Sequence, residues 1–151
     1  NASGFSLTST EVTNLEARNC NYAKTYAGIT IVRNGVVISG EWIDVVRGID
    51  ALEDDLQKTL FDLLINQQGG KIPYDDNGLN QIRGAITNVL RRFVNRRFLQ
   101  ENFTVTIPAA VDIPIVDKTN RILSEVSFEA FLVGAIHTID PLSGNVSYEG
   151  T

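Results

Sequence analysis

One histidine, one cysteine and a short acidic run are the residues of this 151-residue chain best suited to chemistry. His137 stands alone, so multi-histidine zinc sites and histidine dyads are excluded within the chain. Any histidine-paired nucleophile would have to use it, and the plainer expectation is a strand histidine satisfied by a hydrogen bond. Cys20, equally solitary, rules out an internal disulfide and a thiolate-rich metal site, and reads as a small half-buried thiol. Asp75-Asp76-Asn77-Gly78 superficially resembles a calcium loop. An EF-hand needs alternating oxygen ligands and a late glutamate, whereas Leu79 and Ile86 stand where ligands should be, so a helix cap is the better reading. In Glu53-Asp54-Asp55, neighbouring helix residues point in different directions and are poorly placed to share a proton, which makes the run a solvated face. Asn1-Ala2-Ser3, Asn102-Phe103-Thr104 and Asn145-Val146-Ser147 fit the glycosylation pattern, one that is frequent by chance. No Gly-rich phosphate loop is present. The chain is therefore expected to have no catalytic, metal or cofactor residues and no cofactor, and not to be an enzyme; a carboxylate enzyme would need an acid with a recognisable partner.

The elements that position these residues follow from periodicity. Thr8 and Glu11 make a capping box ahead of Val12 and Leu15, predicting a short helix over 9–18. A β-rich run, Thr25 to Val32, is followed by Asn34-Gly35 and Val36-Val37-Ile38, which predicts a hairpin turning at the Asn-Gly pair. Trp42, Val45, Val46, Ile49, Leu52, Leu56, Leu60, Leu63 and Leu64 recur at helical spacing and predict a helix over 42–66, stopped by Gln67-Gln68-Gly69-Gly70. After a cap at Asp75 to Gly78, a second apolar face runs through Leu79, Ile82, Ile86, Val89, Leu90, Phe93 and Val94 and ends near Leu99. The rest reads as extended: Phe103 to Ile107, a loop holding Pro108 and Pro114, a long run over Ile122 to Ile139, a turn at Pro141 to Gly144, and a short strand over Asn145 to Glu149. The second half of the long run is apolar on both sides, as if something packs on it. The expected fold class is α+β, mainly antiparallel sheet packed against two long amphipathic helices, in a single domain over 1–151.

Totals agree with one compact domain. Hydrophobic residues make up 43% of the chain, enough for a continuous core, and the net charge of −5 argues against a generally basic protein that coats nucleic acid. No stretch approaches the roughly 18 apolar residues of a membrane span, and residues 1–10 lack the pattern of a signal peptide. The chain begins at Asn1 and holds no methionine, so the expectation is a piece of a longer protein.

Charge is divided between the helices. Residues 41–66 hold seven acids (Glu41, Asp44, Asp50, Glu53, Asp54, Asp55, Asp62) against Arg47 and Lys58, a balance of −5, while 79–99 hold Arg83, Arg91, Arg92, Arg96 and Arg97 with no acid. Asp44, Asp55 and Asp62 fall on one polar stripe, and Arg92 and Arg96 lie together beside the apolar face. Two helices joined by a short link can neutralise each other; alternatively, complementary stripes can set orientation between copies. A nucleic-acid-binding module using the arginine helix is a rival reading.

Asn19-Cys20-Asn21-Tyr22, then Ser39-Gly40-Glu41-Trp42 running into Asp44-Val45-Val46-Arg47-Gly48-Ile49-Asp50, resembles the C-terminal region of contractile-tail sheath proteins of myophages. Lys71-Ile72-Pro73-Tyr74 before Asp76-Asn77-Gly78, Asp117-Lys118-Thr119-Asn120-Arg121, and Gly134-Ala135-Ile136-His137 ahead of Gly144-Asn145-Val146 extend the similarity in order. The resemblance implies a virion subunit, assembled in the host cytoplasm, that polymerises with itself around a tail tube and contracts without catalysis. Its partners would be copies of itself, the tube protein and baseplate proteins, with no nucleic acid and no membrane insertion; another virion or baseplate component is the alternative. On this resemblance Asp44, Asp55, Asp62, Arg91, Arg92 and Arg96 are candidates for a subunit or tube interface. Asn145, Val146, Ser147, Tyr148 and Glu149 are the candidate donated strand, with Asn1 to Leu7 as a second arm.

Overall fold

A computed structural model describes residues 7–66 and 70–137. The expected arm residues 1–6, the turn at 141–144 and the strand at 145–149 lie outside that range.

The first helix, α1 (Ser9–Glu16), starts at the expected capping box. The Thr8 backbone N–H and hydroxyl both donate to the Glu11 carboxylate at 2.8 Å, and the Glu11 N–H returns a bond to the Thr8 hydroxyl oxygen at 3.3 Å. The chain then forms an antiparallel hairpin of β1 (Tyr22–Tyr26) and β2 (Ile29–Arg33), anchored to α1 where the Tyr22 hydroxyl donates to Glu16 Oε1 at 2.6 Å.

The hairpin turns at Ala27-Gly28, not at Asn34-Gly35. Both residues of Ala27-Gly28 have positive φ, 46° and 83°, as a two-residue turn requires. Five residues pair on each side, including a Thr25–Thr30 hydroxyl bond of 2.9 Å, so register is settled before the chain reaches Asn34. Asn34-Gly35 keeps the left-handed conformation its sequence favours, with φ of 80° and 68°, but sends the chain into a second reversal. There Ile43 N–H donates to Gly35 O and Val37 N–H to Glu41 O, with Val36 bridged to Trp42.

Helix α2 (Ile43–Ile65) and helix α3 (Asp76–Asn95) stand where two helices are expected, but α3 ends at Asn95 and not near Leu99. Asp75 caps α3 by accepting from Gly78 N–H at 2.8 Å, which confirms the cap over the calcium-loop reading. The helices pack into one core of Leu52, Ile86, Val89, Leu90, Phe93 and Leu99, in which Val89 and Leu90 are fully buried. A second core, Leu79, Ile107 and Ile113, lies at the start of α3 under the loop that precedes α4 (Ile115–Asn120). That short helix was not expected; it follows Pro114, which is compatible with a helix start, inside what reads as loop.

The chain is α+β in class, but among the described residues its strands form two separate pairs, β1 with β2 and β3 (Thr104–Thr106) with β4 (Ser127–Glu129). Of the long run expected over Ile122 to Ile139, the described part, as far as His137, is strand only over β4, with a further bridge from Leu99 to Leu132. Between these pairings β3's side carries two more residues than its partner, so the ladder breaks at Gln100 to Phe103. Nor is the second half of that run covered: Phe131, Leu132, Val133 and Ile136 are all exposed. Period-two apolarity reports what can be buried, and here the described residues do not supply the cover.

Gly48 of α2 is where the segment just after α3 packs against that helix. A Cβ there would fall 2.0 Å from the Phe98 ring, whereas one at Gly84 in α3 would meet nothing within 4 Å. Gly48→Ala should therefore destabilise by about 1–3 kcal/mol through overpacking, while Gly84→Ala should stabilise by about 0.5–1 kcal/mol through helix propensity. Urea unfolding of both variants checks the opposite signs.

At the other end, the Thr8 backbone and then its hydroxyl hold the Glu11 carboxyl below its ordinary value of 4.5. A lowered folded pKa means the capping box stabilises α1 fully above the unfolded value and loses that contribution as pH falls through the folded one. Amide exchange in α1 should accelerate selectively below about pH 4.5, and Glu11→Gln should flatten that dependence; an unchanged pH profile in the variant would refute the assignment.

Candidate assembly interface

The six charged candidates sit on the two long helices and do not form one patch. Asp44 lies in the first turn of α2, where a carboxylate complements the helix dipole, and Asp62 lies at its far end, accepting from the Asn66 side-chain amide. The 18-residue separation places them about 27 Å apart along the helix. Asp55, between them, meets Arg92 of α3 at 3.5 Å, with both side chains substantially exposed. At least one contact between the acidic and basic helices is thus made inside a single chain.

The remaining arginines point elsewhere. The Arg96 guanidinium sits 5.2 Å from the centre of the Phe93 ring and covers the end of the core. Arg91 lines a shallow groove with Val94, Asn95, Glu101 and Phe103. The acids next to the stripe are engaged locally: Asp54 holds Lys58 at 2.5 Å one turn on, and raises the Lys58 pKa by hydrogen bonding and charge. Asp44, Asp62, Arg91, Arg92 and Arg96 stay solvent-facing, Asp55 less so.

Periodicity did not show how much apolar surface is left open. Of the expected apolar face of α2 only Leu52 is buried; Trp42, Ile49 and Leu64 are exposed, as are Phe61 and Ile65 beside Leu64. On the β1–β2 hairpin, Tyr22 alone is buried, while Tyr26, Ile29, Ile31 and Val32 are exposed. Tyr26, Ile29 and Ile31 share one face with Lys24, whose ammonium lies 5.0 Å from the Tyr26 ring. A core residue and an interface residue have the same spacing in sequence, so nothing but three-dimensional burial separates them.

The hairpin is held in place by side-chain amides. Asn21 Nδ2 donates to Val36 O at 2.8 Å, and its Oδ1 accepts from Val36 N–H at 3.1 Å, an amide standing in for a strand neighbour. Asn19 donates to Ile38 O and Asn34 to Cys20 O. Cys20 is half-buried in this clip, its thiol 3.7 Å from Arg18 O. His137 is exposed and stacks on Trp42 rather than being satisfied inside a strand. Among the described residues no group of three His, Cys, Asp or Glu is placed to hold a metal ion, and no helix is long and apolar enough to cross a membrane.

The two long helices, with the turn that follows them, form a unit that can be compared with known domains. Residues 43–103 match the family model for the E217 tail sheath protein gp31-like, C-terminal domain. The match begins at the first residue of α2 and ends just before β3, so it takes in the helix pair, the Gly48–Phe98 contact and all six charged candidates. It also takes in Asp44 to Asp50, Lys71 to Tyr74 and Asp76 to Gly78, three of the segments on which the resemblance rests; Asn19 to Tyr22, Asp117 to Arg121 and Gly134 to His137 lie outside it. Among curated proteins no match to the chain is found. The resemblance to phage tail sheath C-terminal domains therefore stands on the helix pair, and it supports a structural role in the tail of a virion.

The Asp55–Arg92 contact is long and half-solvated, so it orients the helices without holding them together. A double-mutant cycle on Asp55→Asn and Arg92→Gln should return a coupling of no more than about 1 kcal/mol. Chemical unfolding measures it; a much larger coupling would make this pair part of the fold.

Proposed function

We propose that the chain is a structural subunit of a phage contractile tail sheath. It polymerises around the tail tube and contracts to drive the tube through the host envelope during genome ejection. The match of the helix pair to a tail sheath C-terminal domain is the observation that carries this reading.

Three features support the finer parts of it. The chain leaves large apolar side chains open on α2, on the β1–β2 hairpin and on 131–136, more than isolated surface residues require, as expected of a subunit whose partners supply the cover. The β1–β2 pair has no third strand among the described residues, so its outer edges offer unpaired backbone groups to a donated strand such as Asn145 to Glu149 of a neighbouring copy. Asp44, Asp62, Arg91 and Arg96 take no part in the Asp55–Arg92 ion pair and are solvent-exposed, which leaves them available to neighbouring subunits or the tube. Baseplate proteins would be met at the end of such a polymer, and assembly would take place in the host cytoplasm.

Electron microscopy of the protein carrying this chain tests the reading directly, with tubes or contracted rings as the expected result and persistent monomers as the result against it. Arg92→Glu with Arg96→Glu should abolish those assemblies while the circular dichroism of the monomer stays folded. Normal assembly by the doubly reversed protein would remove these arginines from the interface.

A further inference from the structure

The last hydrogen bond that fixes the described C-terminal segment is Val133 N–H to Phe98 O, 2.9 Å. Beyond it, Gly134, Ala135 and Ile136 make no hydrogen bond to other described residues, an added Cβ at Gly134 would meet nothing within 4 Å, and Ile136 is 86% exposed. Yet His137 is placed: its ring stacks on the Trp42 indole, centroids 4.5 Å apart and planes 4° from parallel.

Trp42 is a fixed platform. It precedes α2 directly, is bridged to the buried Val36, and is followed by Ile43, whose N–H bonds Gly35 O at 3.0 Å. The indole passes over Gly35, where an added Cβ would come 3.9 Å from the ring. The stack therefore ties His137 to the junction between the β1–β2 hairpin and α2, across a stretch, 134–136, with no hydrogen-bonded anchor among the described residues.

We infer that the Trp42–His137 stack is a releasable clasp that holds residues 134–137 against the junction between the β1–β2 hairpin and α2. One ring pair between two exposed side chains is a weak contact, strong enough to bias a segment and weak enough to open without unfolding the core. If Asn145 to Glu149 is donated to a neighbour, a use that rests on the sheath reading, opening the clasp frees four more residues, 134–137, ahead of that strand.

The chain reports on this contact unusually well, because Trp42 is its only tryptophan and His137 its only histidine. In the 151-residue chain, His137→Ala should raise both the acrylamide quenching of Trp42 emission and the amide exchange of Ala135 to His137, each about twofold or more. His137→Phe, which keeps a flat ring, should restore both, and exchange in α3 should not change in either variant. Unchanged quenching and exchange in His137→Ala, or a phenylalanine variant that behaves like alanine, would overturn the clasp. Neither readout depends on polymerisation, so a failure of the sheath reading shows separately, as monomers under the electron microscope.

Discussion

Most of the ordered burial in this chain is concentrated along one seam, where α3 lays Ile86, Val89, Leu90 and Phe93 against α2 and Phe98 closes the end over Gly48. Leucine and valine at Leu90 and Val89 are wholly removed from water, each contributing roughly 1.5–3 kcal/mol of transfer free energy. The other elements are arranged around that seam. The β3–β4 pair packs on α3 through Val105, the loop carrying α4 covers the start of α3 through Ile107 and Ile113, and the amide clip of Asn19, Asn21 and Asn34 fixes the approach to α2. Loss of the seam would leave two short strand pairs and two short helices, none with enough apolar area to fold alone.

The seam also explains why charge is a minor force inside the domain and an available one outside it. Helices held together by buried leucine, isoleucine and phenylalanine do not need ion pairs, and among the described residues Asp55 and Arg92 are the pair that approaches across them, at 3.5 Å. With packing settled by apolar contacts, the other acids of α2 and arginines of α3 are free to be selected for what they meet in solution. Under the proposed sheath reading, contacts between unlike charged surfaces of neighbouring copies would be heterologous, and such contacts build open polymers unless the rotation closes a ring.

Legibility in the sequence followed the same division. The long helices, the Thr8–Glu11 box and the Asp75 cap were readable because each rests on local rules: a 3.6-residue period, a side-chain oxygen reaching a backbone N–H three residues on. The Asn34-Gly35 pair was read correctly as a left-handed pair and wrongly as the hairpin turn, because Ala27 carries no signal for positive φ and the pairing of Tyr22–Tyr26 with Ile29–Arg33 is what forces it. The 122–139 run failed for a different reason. Alternation promises a strand, but a strand needs a neighbour, and Thr104–Thr106 offers one only to Ser127–Glu129. Of the charged candidates, their identities and helices could be read, whereas the Asp55–Arg92 meeting and the Arg96–Phe93 stack depend on how the helices rotate about the seam.

Among the described residues Ile29, Val32, Phe61, Leu64, Ile115 and Ile136 lie in water although the helix pair has a core of its own. Single exposed apolar residues are ordinary, but these fall on several separate elements, the β1–β2 hairpin, α2, α4 and the C-terminal segment. A closed dimer would bury one patch and leave the others. A subunit with neighbours on several sides, as proposed for a sheath, would bury them all. The apolar surface and the family match of the helix pair thus point the same way by independent routes, one through the solvation of side chains and the other through the sequence of residues 43–103.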